Sequence, residues 1–242
     1  MRVKIPIVKE HGSWVVFIIS CIAGIIASLT DHSLHVERGL FNEVLITVVG
    51  LALLVNSKRP LTALFRRYDR EKEDLIWFLL FSLSGLALLM PFLIDGFNTF
   101  VIFSPLLIIY FIFLYFRREH DLAAEFLGFA LLTLAAPVIY FVLTGLLSFR
   151  LYLAVFTFFA AGVLKIRTSM KKTGLYRLSM IFYCAVSPAL FIMLEVSPYL
   201  LLPLSENVVS SLRNREERLR KLGNIELVKG VIFVLLLVLY WR

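Results

Sequence analysis

Nine apolar stretches follow one another along this chain with only short polar segments between them. They run roughly over 12–30, 40–56, 75–94, 99–116, 123–146, 149–164, 178–194, 198–212 and 225–241. Five are close to the length that crosses a bilayer. Hydrophobic residues make up 60% of the 242, charged residues only 17%. Water offers no place to bury that much apolar side chain, so the pattern predicts an all-α, polytopic transmembrane bundle of about nine spans. The runs are too long and too little alternating for an outer-membrane barrel. The whole of 1–242 reads as one integral membrane domain. The first run has full span length and lacks a small-residue cleavage site, so it is expected to remain as a span.

The net charge is +8. In a soluble chain that excess would suggest nucleic acid, but here the basic residues sit between apolar runs. Alternate polar segments hold 21 of the 25 Lys and Arg, and the other set holds three. The positive-inside rule then predicts a cell-membrane protein, multi-pass, with its N-terminus cytoplasmic and its C-terminus outside. This alternation requires 178–212 to break in two near Glu195-Val196-Ser197-Pro198, where Pro198 suits a turn or a first helical position. The segment 57–74, with Pro60 near its start and Leu61, Leu64 and Phe65 among basic residues, predicts a short amphipathic helix on the inner leaflet. The charged segment 213–224 reads as another helical piece, ended by Gly223. The runs at 149–164 and 198–212 are short for spans.

Candidate functional residues fall into a few groups. Lys9-Glu10-His11-Gly12-Ser13-Trp14 packs a cation, an anion, an imidazole and an indole at the start of the first span. Gly12 permits a tight lead into the helix, and His11 can change charge near neutral pH. Trp14 also suits an aromatic belt. Asp121 and Glu125 share a helix face, where a helix N-terminal charge bias is the plainer reading than a cation site. Polar residues inside spans carry more weight, because lipid penalises them. These are Glu43, Glu206 and Asn207, with Glu226 and Lys229 three apart and able to pair with each other. Lys165 and the other cations at span ends read as interface anchors. Asp31, His32, His35 and Glu37 offer a thin metal set. Cys21 and Cys184 lie in apolar runs and read as small hydrophobes. No cofactor motif is present, and neither a metal nor nucleic acid is expected.

The opening Pro6-Ile7-Val8-Lys9-Glu10-His11-Gly12-Ser13-Trp14 resembles the start of the YwiC-like family of membrane proteins, which opens on a Lys-Glu-His-Gly signature ahead of its first span. Arg218-Leu219-Arg220-Lys221-Leu222-Gly223-Asn224-Ile225-Glu226 is similar to that family's charged segment before its last span. The resemblance implies a membrane protein and no particular reaction. Nine spans with a cytoplasmic N-terminus also look like the UbiA prenyltransferase superfamily. Its enzymes hold Mg²⁺ and an isoprenoid diphosphate on two Asp-rich motifs in cytoplasmic loops. Here those places read Asn56-Ser57-Lys58-Arg59-Pro60 and Lys165-Ile166-Arg167-Thr168-Ser169-Met170-Lys171-Lys172. Asn56 matches the leading Asn, and basic residues stand where the carboxylates would be.

The sequence thus points first to an integral membrane protein that binds an anionic phospholipid or isoprenoid head group in a cytoplasmic-side cavity. Lys9, Glu10, His11, Trp14, Asn56, Arg59 and Arg167 are its candidate contacts. Arg and Lys hold phosphate oxygens without metal. The alternatives are a transporter or ion-coupled carrier built on Glu206 and Asn207, and an accessory subunit of a membrane complex. Whether a reaction is catalysed is left open.

Overall fold

The computed structural model describes residues 6, 8, 11–31, 40–66, 71–171, 174–213 and 219–241. Among them every regular element is a helix. In chain order these are α1 (His11–Thr30), α2 (Leu40–Arg66), α3 (Glu71–Phe100), a 3-10 turn (Val101–Phe103), α4 (Ser104–Tyr115), α5 (Leu122–Thr133), α6 (Ala135–Thr144), α7 (Phe149–Lys171) and α8 (Gly174–Met193). A 3-10 helix (Pro198–Leu204), α9 (Ser205–Arg213) and α10 (Leu219–Tyr240) complete the chain. Eight helical stretches are long and apolar enough to cross a membrane, by length and composition. The protein is therefore the polytopic helical bundle that the apolar runs predict.

Prolines set the interruptions. Pro137 has no N–H and its ring crowds the carbonyl of Thr133, so the ladder breaks at Leu134 and Pro137 falls in the first turn of α6. Pro105 stands likewise in the first turn of α4, after the 3-10 turn. Pro198 opens the 3-10 helix and Pro203 lies inside it; α9 starts only two residues later. The tighter winding suits a stretch that Pro203 bars from a regular α ladder.

Contacts between distant residues fix an up-and-down course. Arg66 pairs with Glu119, and Arg167 with Glu125, at the end where α1 begins. Tyr140 donates to Asp31 (2.7 Å), Arg150 donates to the Glu195 carbonyl (2.6 Å), and Tyr199 lies against Tyr240, all at the other end. The 3-10 helix and α9 together therefore run from that far end back towards the first, antiparallel to α10. This broken segment occupies the place of the predicted eighth run and is not one of the eight long apolar stretches. The predicted break falls where it was expected: α8 ends at Met193, Glu195 takes a positive φ of 55°, and the Val196 N–H reaches back to the Phe191 carbonyl.

The core lies around α7, the most enclosed helix, with α1, α6, α8, the 3-10 helix and α10 packed about it. Small residues let the backbones approach. Gly24 of α1 lies so close to α6 that a Cβ there would come within 2.5 Å of the Ala136 carbonyl oxygen. α2 and α3 form an outer hairpin, joined across Gly50 and Gly85. Side chains such as Leu83, Ile108, Phe182 and Leu235 stay exposed, as a lipid-facing shell requires.

Three expectations change. The segment after Asn56 continues α2 through Pro60 to Arg66; it does not form a separate surface helix. Leu61 and Phe65 pack with Tyr110 and Leu114 of α4, so their apolar surface is met inside the protein. Residues 67–70 lie outside the described residues. Gly223 stops no helix: α10 starts at Leu219 and passes through it, and a Cβ there meets nothing within 4 Å. The run at 149–164 belongs to a helix of 23 residues, because Lys165 does not end it.

Candidate functional site

Lys165 decides where the site is. It stands six residues before the end of α7, about 9 Å along the axis at the usual rise. An ammonium there cannot remain in lipid alone. Its side chain is 3% exposed, and it reaches two carboxylates: it donates to Glu206 of α9 and lies 3.6 Å from Glu226 of α10. Glu226 and Lys229 lie about one and two turns into the apolar part of α10, which begins at Leu222. Lys229, 5% exposed, pairs with Glu226 and lies 3.4 Å from Glu206.

The four groups close a ring of alternating charge in the order Lys165, Glu206, Lys229, Glu226. Two sides are close ion pairs and the other two are the looser 3.4 and 3.6 Å contacts. The formal charge sums to zero, which is how such a group tolerates a position among apolar helices. Gly162 of α7 makes room for it: a Cβ at that position would stand 3.3 Å from Glu226 Oε2. Both ammonium groups approach Glu226 Oε1 as ion partners without hydrogen-bond alignment.

Asn207 sits beside the ring and is fully buried. Its Oδ1 accepts from Lys229 Nζ (2.5 Å), while its Nδ2 has no hydrogen-bond partner among the described residues. A buried amide N–H₂ left unpaired costs on the order of 1–3 kcal/mol. Glu206 differs from its neighbours in exposure: its side chain is 37% exposed against 3% and 5% for the two lysines. It stands in the first turn of α9, directly after the 3-10 helix. Glu206 is therefore the most open member of the ring.

The other predicted residues lie elsewhere. Lys9 and Glu10 are outside the described residues, as are His32, His35 and Glu37; His11 is the first residue of α1, with only its backbone described. Gly12 has no positive φ and a Cβ would meet nothing within 4 Å, so the chain does not need a glycine to begin α1. Trp14 Nε1 donates to the Val8 carbonyl (3.0 Å), and the Val8 N–H donates to Asn56 Oδ1 (3.3 Å). Trp14 and Asn56 thus hold Val8 against α2. Arg59 is exposed on α2. Arg167 is held by Glu125 and by the His120 carbonyl, and that pairing also takes Glu125 out of the carboxylate pair with Asp121. Glu43 borders an open depression at the far end, with Pro91, Thr99 and Phe141. Both cysteines are free thiols set among apolar neighbours, as expected. Among the described residues no group of three His, Cys, Asp or Glu could hold a metal ion.

Sequence reasoning singled out Glu206 and Asn207 and allowed Glu226 to pair with Lys229, but it took Lys165 for an anchor at a span end. A signal was present. Leu164 and Ile166 flank Lys165 and the apolar pattern continues past it, and acids and bases within the last spans balance once it is counted.

A protein-family model described as "YwiC-like protein" matches residues 7–140, more than half of the chain. The chain belongs to the YwiC-like family. No curated protein and no solved structure matches it. Within this YwiC-like protein the matched part runs from residue 7 to Tyr140 in α6. The residues of the charged ring all lie beyond it.

Proposed function

We propose that this YwiC-like protein is an ion-coupled membrane carrier and that the Lys165–Glu206–Lys229–Glu226 ring is its working site. One observation carries the reading: two lysines almost fully shut from solvent close on two carboxylates, one of them more open, at an interrupted helix. Ionisable groups among membrane helices mark ion and substrate paths more often than they serve packing, since apolar residues pack there at less cost. Broken helices with polar groups at the break recur in secondary transporters. The cell membrane, with the N-terminus in the cytoplasm, is the setting we infer from the charge alternation.

The head-group reading ranks second. Arg59 supports it, as an exposed cation at the end of the bundle where α1 begins. Arg167 lies at the same end, where Glu125 holds its guanidinium. A UbiA-like prenyl transfer would need a metal-binding carboxylate cluster, for which the described residues offer no support.

The carrier reading is tested in proteoliposomes under an imposed pH gradient, with a panel of labelled anionic, zwitterionic and cationic solutes. Gradient-driven uptake of one class, abolished in Glu206→Gln, is the expected result. Uptake of none of them, together with a bound phospholipid or isoprenoid lost in Arg59→Ala, would move the assignment to the head-group site.

A further inference from the structure

We infer that the ring is a carboxylate-binding site in which Glu206 acts as the resident stand-in for the ligand, and that one proton enters for each ligand carboxylate bound. The inference rests on the carrier reading for its biological setting, and it stands on its own geometry. Glu206 contributes the only carboxylate of the ring that combines wide exposure with contact to both lysines: it accepts from Lys165 and lies 3.4 Å from Lys229. Glu226 is held more deeply, with its side chain 23% exposed and packed over Gly162. The carboxylate of Glu206 therefore occupies the place that an outside carboxylate would take between two buried ammonium groups.

Asn207 supplies the second, independent observation. Its amide is fully buried at the same place, anchored through Oδ1 on Lys229, and among the described residues nothing accepts from its Nδ2. A carboxylate has two oxygens and about four lone-pair positions, and it is best held by a set of donors rather than one. Two ammoniums and an amide N–H₂ make such a set. Glu206 cannot use it all, because it is tethered to the next residue of the same helix.

Charge then fixes the stoichiometry. With Glu206 ionised the ring is neutral, and a further anion would leave it negative among apolar helices, which is costly. With Glu206 protonated the ring carries one positive charge and a monocarboxylate restores neutrality. The proton goes on the Glu206 carboxyl, its ion pair with Lys165 is given up, and the incoming carboxylate takes that pairing. Among the described residues the groups that face Glu206 from neighbouring elements are Lys165 of α7 and Glu226 and Lys229 of α10; Cys184 of α8 lies near the preceding Leu204 carbonyl, at 4.0 Å. The two lysines attract the ligand, and Glu226, which contacts both of them, is the carboxylate that keeps its place.

The test uses the full chain in lipid nanodiscs. Melting temperature is followed against acetate, inorganic phosphate and oleate at about pH 5.5 and about pH 8, both above the ordinary carboxyl range, so that a bound anion must bring its proton with it. In the wild type the half-saturating carboxylate concentration should fall about tenfold per pH unit of acidification, the slope of one proton taken up per anion. Glu206→Gln keeps the shape and removes the stand-in charge, so it should bind carboxylate at both pH values with no slope. Lys229→Met placed on Glu206→Gln should then lose that response. A response to acetate identifies a soluble ligand; a response to oleate alone identifies a bilayer-borne one. Phosphate binding as strong as acetate binding would overturn the carboxylate assignment, and failure of Glu206→Gln to bind at pH 8 would overturn the stand-in role. Carboxylate binding without gradient-driven uptake would leave this inference in place and remove the carrier reading.

Discussion

Arg167 grips Glu125 with two separate nitrogens, Nε donating to Oε2 at 2.9 Å and Nη2 meeting Oε1 at 2.6 Å. The same guanidinium donates to the His120 carbonyl, so α7 is tied to both the first turn of α5 and the turn before it. A planar fork matched to a carboxylate is worth more than a single point contact, and lysine cannot reproduce it. Arg167→Lys should therefore destabilise by about 1–3 kcal/mol despite keeping the charge. A double-mutant cycle with Glu125→Gln, read by denaturant unfolding in detergent, should recover a coupling of comparable size. A coupling near zero would mean that Arg167 is only an interface anchor.

Glycine positions separate by what a side chain would meet. A Cβ on Gly85 would lie 2.8 Å from the Gly50 carbonyl oxygen, which belongs to the facing helix and cannot move aside alone. Gly85→Leu should force α2 from α3 and lower the melting temperature in detergent by several degrees, the scale of a few kcal/mol of overpacking. Gly12→Ala faces open space in α1, and it should be neutral or stabilising by roughly 0.5–1 kcal/mol. The contrast is the measurement: equal effects at the two sites would contradict the close hairpin.

The helical bundle was legible because apolar length is a local, additive property of the sequence. The break at Glu195 to Pro198 was legible for the same reason, since proline acts on its own neighbours. What failed did so where a partner distant in sequence decides. Lys165 reads as the end of a span until Glu206 and Glu226, which come from two other helices, are placed against it. Leu61 and Phe65 read as a surface helix until α4 is placed beside them. Glu206 and Asn207 were picked out because lipid penalises any polar group, but their role in a ring could not be read from one helix alone.

Arg150 and Glu195 meet at one end of the bundle, and Arg167 and Glu125 at the other. From the positive-inside rule we propose that the Arg150 end faces outside and the Arg167 end the cytoplasm. Single cysteines in a background lacking Cys21 and Cys184 report the sides directly. Cysteine at Ser148 should react with a membrane-impermeant maleimide in intact cells, and cysteine at Glu119 should react only after permeabilisation. The reverse pattern would invert the protein. Labelling of both sites in intact cells would remove the up-and-down course between α4 and α7.

The ring of four charges also makes a prediction about stability that runs against simple contact counting. Removing one member of a buried ion pair leaves its partner uncompensated, a loss of roughly 3–5 kcal/mol, whereas removing both can be nearly neutral. Lys165→Met alone leaves Glu206 and Glu226 sharing Lys229, a net negative charge where Lys165 had been 3% exposed. Lys165→Met with Glu206→Gln restores neutrality and keeps the remaining Lys229–Glu226 pair, which is three residues apart on one helix and needs no help from α9. The double variant should therefore be more stable than Lys165→Met alone by about 2–4 kcal/mol, the part of that loss owed to the unmatched charge. Lys165→Met with Glu195→Gln is the control, since Glu195 lies at the opposite end and pairs with Arg150. It should show no such rescue. Denaturant unfolding of the three variants beside the wild type decides the matter: equal recovery with either glutamine would show that only net charge counts, and recovery with Glu206→Gln alone would show that the ring acts as one electrostatic unit.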